Sequence, residues 1–213
     1  MANKVSIWKE IWSGKSVTRA YLNVRLAQEE LIGRTIDIGG GHDADYIRFM
    51  KRQDNVVFET FDQKAGSTVD FEIDPLPATS ASYDTVLFLN VMEHVFNHQH
   101  IASEVVRLVK PGGQVIGFVP FLMWYHPDFR DFFRYTHEAL KLIFERAGAT
   151  DVKIEPLAFG PFTAAAQMII QSFPRLLRLP VFIPFYLLDC LFRWLRPSRV
   201  GSFALGYTFV IRK

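Results

Sequence analysis

Cysteine is almost absent from the sequence, and the single one present, Cys190, has no partner within the chain. This excludes an intramolecular disulfide framework and a multi-cysteine zinc site, and it fits a reducing compartment. The N-terminal stretch also lacks the uninterrupted apolar core of a secretory signal, because Lys4, Lys9, Glu10 and Lys15 interrupt it. We therefore expect a cytoplasmic protein.

The sequence has no unbroken apolar run of membrane-spanning length. Its most apolar region, residues 156–200, contains Pro174, Pro180 and Pro184, which predict short amphipathic helices rather than a spanning helix of about 20 residues. Pro184 is a suitable first-turn residue for one of these helices.

Acidic residues are nearly missing from the C-terminal part of the chain. Residues 156–213 hold seven Lys and Arg but only Asp189, giving +6, so the remainder of a chain with net charge +2 carries −4. Asp189, Arg193 and Arg196 are spaced to share one helix face, and a cationic face beside an apolar one suits an anionic lipid interface. Packing on the domain itself, or on a second subunit in a homodimer, is the alternative. Nucleic-acid binding is disfavoured because bulky aliphatic residues dilute the basic ones.

Apolar segments of strand length alternate with segments of helical periodicity along the rest of the chain. This alternation is typical of a parallel sheet that is covered by helices on both faces. Two helices separated by Ser13-Gly14 are expected before the first strand. The predicted strands span residues 34–38, 56–61, 85–89, 114–119, 152–155 and 207–211, and the later predicted helices span 45–51, 98–109 and 137–147, the last with Thr136 as its N-cap.

A glycine-rich run follows the first predicted strand and opens a helix. It reads Asp37-Ile38-Gly39-Gly40-Gly41, and missing Cβ atoms in such a turn let a nucleotide-like ligand approach the backbone closely. Asp62 ends the second predicted strand, where a carboxylate can accept hydrogen bonds from both hydroxyls of a ribose. Together these features predict an adenosine-containing ligand, although the glycines alone do not separate NAD from other such cofactors.

The order of the motifs resembles that of the class I S-adenosylmethionine-dependent methyltransferases. The glycine run and Asp62 are followed by Asp74-Pro75-Leu76-Pro77, by the run from Tyr83 to Val95, and by Leu108-Val109-Lys110-Pro111-Gly112-Gly113. The resemblance is strong over residues 34–120 and extends weakly to the last strand; Gly40 departs from it, since the family often has Cys, Ala or Thr there. It implies a Rossmann-like α/β fold with a mainly parallel seven-stranded sheet, an antiparallel last strand, helices on both faces and an apolar helical insertion.

The resemblance also implies roles for single residues. The cofactor would be S-adenosyl-L-methionine, with Asn90 to His94 forming the floor beneath its sulfonium and Asp70 an alternative to Asp74 near the adenine. The cofactor-binding residues implied are Asp37, Gly39, Gly40 and Gly41 for the methionine end, Asp62 for the ribose, Asp74 for the adenine, and Asn90.

We expect no metal, because a methyl group on a sulfonium already has a good leaving group and the protein need only supply position. The spacing of His94, His98 and His100 is compatible with a metal site, but the polar start of a surface helix explains it better.

Residues 120–136 come directly after a predicted strand, at the sheet edge where open α/β folds bind ligands. Their His, Pro-Asp and Arg-Thr pattern resembles small bacterial methyltransferases that tailor glycans and lipid-linked metabolites. His126 is the first candidate for a general base, oriented by Asp128 or Asp131, and His94 is the second. Alternatively, His126 only caps the loop, and Asp131 and Arg134 form a structural ion pair that holds the loop over the cofactor.

The chain is expected to form one domain, with residues 1–33 as an N-terminal helical cover, 34–155 as the cofactor-binding core, 156–200 as the insertion and 201–213 as the closing strand. The expected reaction is methyl transfer to a hydroxyl of a glycan- or lipid-linked acceptor, in the cytoplasm or at the inner face of the membrane. The alternatives are a non-catalytic S-adenosylmethionine-binding or membrane-adaptor protein and an NAD-linked oxidoreductase. The last is disfavoured by the absence of a Tyr-x-x-x-Lys pair.

Overall fold

The computed structural model describes residues 5–40, 44–61, 69–127 and 130–213. Six helices and eight strands are found in these residues. The helices are α1 (Ile7–Trp12), α2 (Val17–Leu26), α3 (His98–Leu108), α4 (His137–Arg146), α5 (Pro161–Ile169) and α6 (Arg175–Leu195). The strands are β1 (Glu30–Leu31), β2 (Arg34–Ile38), β3 (Lys51–Arg52), β4 (Val57–Phe61), β5 (Tyr83–Leu89), β6 (Val109–Pro120), β7 (Asp151–Leu157) and β8 (Gly206–Arg212).

The main sheet has the strand order β4-β2-β5-β6-β8-β7. Strands β4, β2, β5 and β6 are parallel to one another, and β8 runs antiparallel to both β6 and β7. The prediction of an antiparallel last strand is confirmed. The short β1 and β3 form a separate parallel pair that the sequence did not predict.

The main sheet holds six strands within the described residues, where seven were expected. Residues 70–74, between β4 and β5, form a turn in which Asp74 N donates to Asp70 O at 2.8 Å and Asp70 N donates to the Asp74 carboxylate at 2.9 Å. These local bonds use backbone groups that a strand would pair with a neighbour.

The helices agree with the sequence pattern wherever a cap or a clear period is present. Ser16 accepts a hydrogen bond from Arg19 N at the start of α2, and Thr136 does the same for Ala139 N at the start of α4. The predicted helix over residues 45–51 is only the 3-10 turn Asp45–Phe49, which β3 follows directly.

Two hydrophobic cores lie on opposite faces of the sheet. On one face, α3 and α4 bury residues such as Ile101, Val105 and Phe144. On the other face, α1, α2 and α5 pack together with α6 through residues such as Ile11, Leu22 and Phe182. The molecule is therefore a three-layer α/β sandwich, as predicted.

The apolar insertion differs from its prediction. It contains the short α5 and then one continuous 21-residue helix, α6, with Pro180 and Pro184 inside it. The expectation that these prolines break the segment is wrong, because each removes one backbone hydrogen bond and much of α6 is exposed, so water can satisfy the freed carbonyl. No helix in the described part of the chain is both long and apolar enough to span a bilayer.

Asp189 does not share a solvent-facing surface with Arg193. Its carboxylate is buried and accepts hydrogen bonds from Phe162 N at 3.1 Å and Thr163 N at 2.6 Å, at the start of α5. Arg193 instead lies over the ring of Phe159 at 4.3 Å. The acidic side chain thus anchors α6 to α5, and the outward side of α6 is left apolar and basic.

Candidate active site

The glycine turn that follows β2 packs tightly against its own neighbours. Gly39 has a φ of +78°, and a Cβ built on it would lie 2.5 Å from Val91 Cγ2. A Cβ on Gly40 would lie 1.8 Å from Asp37 Oδ2. Packing within the protein therefore requires both glycines, in addition to any need for ligand space. Gly41, which was predicted to act with them, lies outside the described residues.

Asp37 places a buried carboxylate at this turn. It lies near the carboxyl end of β2 and is fully buried, and its Oδ2 accepts a hydrogen bond of 2.5 Å from the Tyr46 hydroxyl. Tyr46 is itself buried, in the 3-10 turn Asp45–Phe49. The bond fixes the carboxylate at the sheet edge where open α/β folds bind their ligands.

Arg19, on α2, directs a guanidinium towards the same region. Its Cζ lies 5.8 Å from the centre of the Tyr46 ring. Burial lowers the pKa of Arg19, while Tyr46, Asp45 and Glu93 oppose that change electrostatically. None of its contacts within the described residues is an ion pair, so a half-buried cation is available to an anionic ligand group.

Arg19 and Asp37 together fit the zwitterionic end of an amino acid. The guanidinium suits a carboxylate and the Asp37 carboxylate suits an ammonium group. Sequence reasoning selected Asp37 but missed Arg19 and Tyr46, because neither belongs to a local motif. Only the packing of α2 and the turn after β2 brings them to the site.

The other predicted cofactor residues have mixed outcomes. Asn90 directly follows β5 with a φ of +55°, a conformation that asparagine tolerates better than most residues, and its N–H donates to Phe118 O at 2.9 Å. Asp74 is tied to the start of α3, since its carbonyl contacts His100 Nε2 at 2.9 Å. Its role near an adenine stays a prediction. Asp62 lies outside the described residues.

Glu93, His94 and His126 converge at the same edge of the sheet. One ligand atom from each lies within 4.8 Å of the other two, and the rings of His94 and His126 are 5.4 Å apart. Glu93 is fully buried, and neither carboxylate oxygen has a hydrogen-bond partner in the part of the chain that the structure describes. Burial raises the pKa of Glu93 to about 8. The sequence had placed Glu93 in the floor of the site without giving it a role.

Asp131 and Arg134 form a clamp that shapes the loop around His126. Arg134 donates to both Asp131 oxygens, at 2.5 and 2.7 Å, and to Trp124 O at 3.0 Å. Asp131 Oδ2 also accepts the His126 backbone N–H at 2.9 Å. These hydrogen bonds, led by that from Arg134, lower the pKa of Asp131 to about 2. The pair also contacts the His126 ring, since Arg134 Nη2 lies 3.3 Å and Asp131 Oδ2 lies 3.6 Å from His126 Nδ1. The geometry therefore contains both the ion pair and the contact by which Asp131 would orient His126, and Asp128 lies outside the described residues.

Aromatic side chains join this loop to the floor of the site. Phe96 stacks on Phe133 at 5.6 Å and meets Phe132 edge-on at 5.4 Å, while the buried Tyr135 donates its hydroxyl hydrogen bond to Met92 O. Tyr125 is 71% exposed. Most of the rings therefore hold the loop, and Tyr125 remains accessible to a ligand.

A family model described as "Methyltransferase domain" matches residues 17–154, which is more than half of the chain. A search of curated proteins found no match.

Solved structures share the fold at low sequence identity. A SAM-dependent methyltransferase from Archaeoglobus fulgidus is 14% identical, with 97% of this chain and 98% of that chain covered and a TM-score of 0.54. A putative methyltransferase of Haloferax volcanii, in complex with the Trm112 activator, is 15% identical over 99% and 98% of the two chains, with a TM-score of 0.53. Haemonchus contortus phosphoethanolamine N-methyltransferase 2, in complex with S-adenosyl-L-methionine, is 15% identical over 99% of this chain and 57% of that one, with a TM-score of 0.53.

Proposed function

Because the chain belongs to the S-adenosylmethionine-dependent methyltransferase family, we propose that it methylates a hydroxyl of a glycan- or lipid-linked acceptor. The family supplies the reaction class and the methyl donor. The acceptor is inferred from the loop between β6 and α4 and from the exposed surface of α6.

S-adenosyl-L-methionine supplies a methyl group that is already activated by its sulfonium. Arg19 would hold the carboxylate of the methionine end, and Asp37 would hold its ammonium group. The turn at Gly39 and Gly40 and the floor from Asn90 onwards would then orient the methyl carbon. These residues act by position, because the reaction requires the acceptor oxygen in line with the bond that breaks.

His126 and His94 are the proposed proton acceptors. An imidazole takes the hydroxyl proton while the acceptor oxygen bonds to the methyl carbon, and the electron pair of the broken carbon–sulfur bond stays on sulfur. Asp131 and Arg134 would position His126 through its backbone N–H and through contacts with Nδ1 of its ring.

The observation that supports an extended acceptor is that the apolar insertion lies next to the loop between β6 and α4. Residues 158–205 leave the sheet after Leu157 and return at Gly206, and Gly206 is paired with Pro120, where the acceptor loop begins. Gln167 of α5 donates to Met123 Sδ in that loop at 3.1 Å. The apolar insertion therefore borders the proposed acceptor site.

Labelled methyl transfer tests the acceptor class. The purified chain is incubated with methyl-labelled S-adenosyl-L-methionine and with lipid-linked oligosaccharides, free oligosaccharides or phosphoethanolamine. We expect label in the lipid-linked or glycan fraction, in a linkage that survives mild base as an ether does and a methyl ester does not. Label only in the amine would contradict the proposed acceptor.

The outward side of α6 supports a membrane location for this reaction. Eight large apolar side chains on α6 are between 42% and 77% exposed, with Trp194 the most exposed. Arg175, Arg193, Arg196 and Arg199 are exposed in or beside the same helix, and the one carboxylate of residues 156–213 is buried. We propose that this surface rests on an anionic membrane at the inner face, because apolar insertion and positive charge both favour such a lipid surface.

Vesicle sedimentation tests the membrane proposal. We expect the chain to sediment with vesicles that contain phosphatidylglycerol, to sediment less with pure phosphatidylcholine, and to lose affinity at high salt. Leu187→Ser with Trp194→Ser should abolish this binding, whereas Leu142→Ser, at an exposed apolar residue of α4, should not. No binding to anionic vesicles, or a dimer in ultracentrifugation that the double variant dissociates, would contradict the proposal and favour a second copy as the partner.

A further inference from the structure

The buried carboxyl group of Glu93 has an environment that calls for a cation. A carboxylate that is removed from water and left without hydrogen bonds is strongly destabilising, so such groups are normally paired or bound to a metal. The guanidinium of Arg134, which interacts electrostatically with Glu93, already donates to Asp131 and to the carbonyls of Trp124 and Phe133. Two imidazoles lie beside the Glu93 carboxylate, with His94 Nε2 3.8 Å from Glu93 Oε1 and a ring nitrogen of His126 within 4.8 Å.

Each imidazole has its Nδ1 beside a backbone carbonyl. His94 Nδ1 lies 2.5 Å from Arg130 O, and His126 Nδ1 lies 3.1 Å from Trp124 O. A carbonyl oxygen only accepts hydrogen bonds, so His94 Nδ1 carries the proton and His94 Nε2 carries the lone pair. His126 Nδ1 faces both Trp124 O and the donor Arg134 Nη2, which lies 3.3 Å away, so either neutral tautomer keeps one of these hydrogen bonds. The tautomer with the proton on Nδ1 has its lone pair on Nε2. Hydrogen bonds from one ring nitrogen to backbone carbonyls are the usual way in which proteins fix a metal-binding histidine.

We propose that Glu93, His94 and His126 bind one divalent transition-metal cation of the Zn²⁺ type. Two imidazoles and one carboxylate are a known zinc ligand set that leaves a position open. Their ligand atoms, now within 4.8 Å of one another, must approach by up to about 1.5 Å to reach the spacing of a tetrahedral site with bonds of about 2.0 to 2.1 Å. From the sequence we expected no metal, and the only spacing considered was that of His94, His98 and His100. Glu93 and His126 are 33 positions apart, so only the fold brings them together.

The cation would deepen the proposed reaction rather than replace it. A role for the cation in catalysis rests on the proposed function, in which the acceptor hydroxyl faces the two imidazoles. A hydroxyl at the open position of the cation releases its proton more readily, and the proton would pass to solvent instead of to a free imidazole. Binding of the cation itself does not depend on the acceptor.

Calorimetric titration with ZnCl₂ and the visible absorption of bound Co²⁺ test the site directly. The full chain, treated with a chelator and exchanged into metal-free buffer, is titrated without methyl donor or acceptor. We expect one equivalent of metal to bind, and Glu93→Gln, His94→Ala and His126→Ala each to weaken binding by at least about tenfold. Glu93→Gln keeps the size of the side chain and replaces a carboxyl group whose pKa burial raises to about 8, so the variant should remain folded by circular dichroism.

A second His–Glu pair provides the matched control. His137 Nε2 lies 3.1 Å from Glu138 Oε1 on the exposed surface of α4, away from the cluster. His137→Ala with Glu138→Gln should leave metal binding unchanged. The proposal is overturned if wild type binds no zinc, or if the control lowers binding as much as the variants of the cluster do.

Methyl transfer by the same samples separates this inference from the proposed function. Chelator-treated protein should lose turnover and regain it with Zn²⁺. Full turnover without metal, together with a defect in His126→Ala, would overturn the metal site and leave the imidazole as base. Full turnover in His126→Ala would overturn the base as well.

Discussion

Replacement of Asp189 by alanine gives a direct measure of what holds the insertion to the domain. The side chain is 0% exposed and accepts hydrogen bonds from Phe162 N and Thr163 N at the first turn of α5. A Cβ on Gly160 would lie 2.2 Å from Asp189 Oδ1, so the chain passes close to the carboxylate. The alanine variant would leave two N–H groups of the first turn without an acceptor.

The expected loss of folding stability follows from the loss of those two hydrogen bonds. A buried donor that loses its partner costs about 1 to 3 kcal/mol, and loss of a charged group at a helix N-terminus costs about 0.3 to 2 kcal/mol more. These terms overlap, because the same two N–H groups make up the positive end of the α5 dipole. We therefore expect Asp189→Ala to lower the free energy of unfolding by about 2 to 4 kcal/mol, and Asp189→Asn, which keeps one acceptor oxygen, by less.

Urea denaturation followed by circular dichroism measures this change, with Asp151→Ala at the exposed start of β7 as the control. In thermal unfolding of a chain of this size the same change lowers Tm by about 5 to 15 °C. A loss below about 1 kcal/mol, or one equal to that of the control, would refute the assignment of Asp189 as the anchor of α6.

Three further variants test other parts of the account. Arg19→Met should weaken S-adenosyl-L-methionine binding about 10- to 150-fold, because a charge-assisted hydrogen bond contributes about 1.5 to 3 kcal/mol. The control Arg48→Met should bind as wild type does. If Arg19→Met and wild type have equal Kd values by calorimetry, Arg19 is not a ligand of the cofactor. His126→Ala should lower kcat by at least about 100-fold with the Kd for S-adenosylhomocysteine unchanged, and normal turnover would eliminate His126. Gly117→Ala should lower the free energy of unfolding in urea by about 1 to 3 kcal/mol, because the new Cβ would lie 2.0 Å from the Phe209 ring. If the variant is as stable as wild type, the Phe209 ring can move aside.

Periodicity and turn residues were enough to predict most of the fold. The strand over residues 34–38 and the helix capped by Thr136 begin where expected, because apolar runs, caps and glycine stops act locally. The predictions of the fold that were wrong concern segments whose structure depends on tertiary contacts. Pro180 was read as a helix stop, but packing of α6 against α1 and α5 maintains the helix across it.

The site shows the same division between local and tertiary signals. Asp37 and Asn90 follow strands in recognisable motifs, so the sequence could select them. Arg19 is an unremarkable helix residue in sequence, and Glu93 was one of five residues in a floor. Their importance comes from burial and from neighbours distant in sequence, which no spacing rule reports.

Calorimetric titration of the purified chain with S-adenosyl-L-methionine, S-adenosylhomocysteine and NAD tests the central claim most directly, with Asp37→Asn measured alongside wild type. We expect wild type to bind S-adenosyl-L-methionine and S-adenosylhomocysteine but not NAD, and the variant to bind both of these ligands more weakly. Binding of NAD alone, or undiminished binding of S-adenosyl-L-methionine by the variant, would contradict that claim.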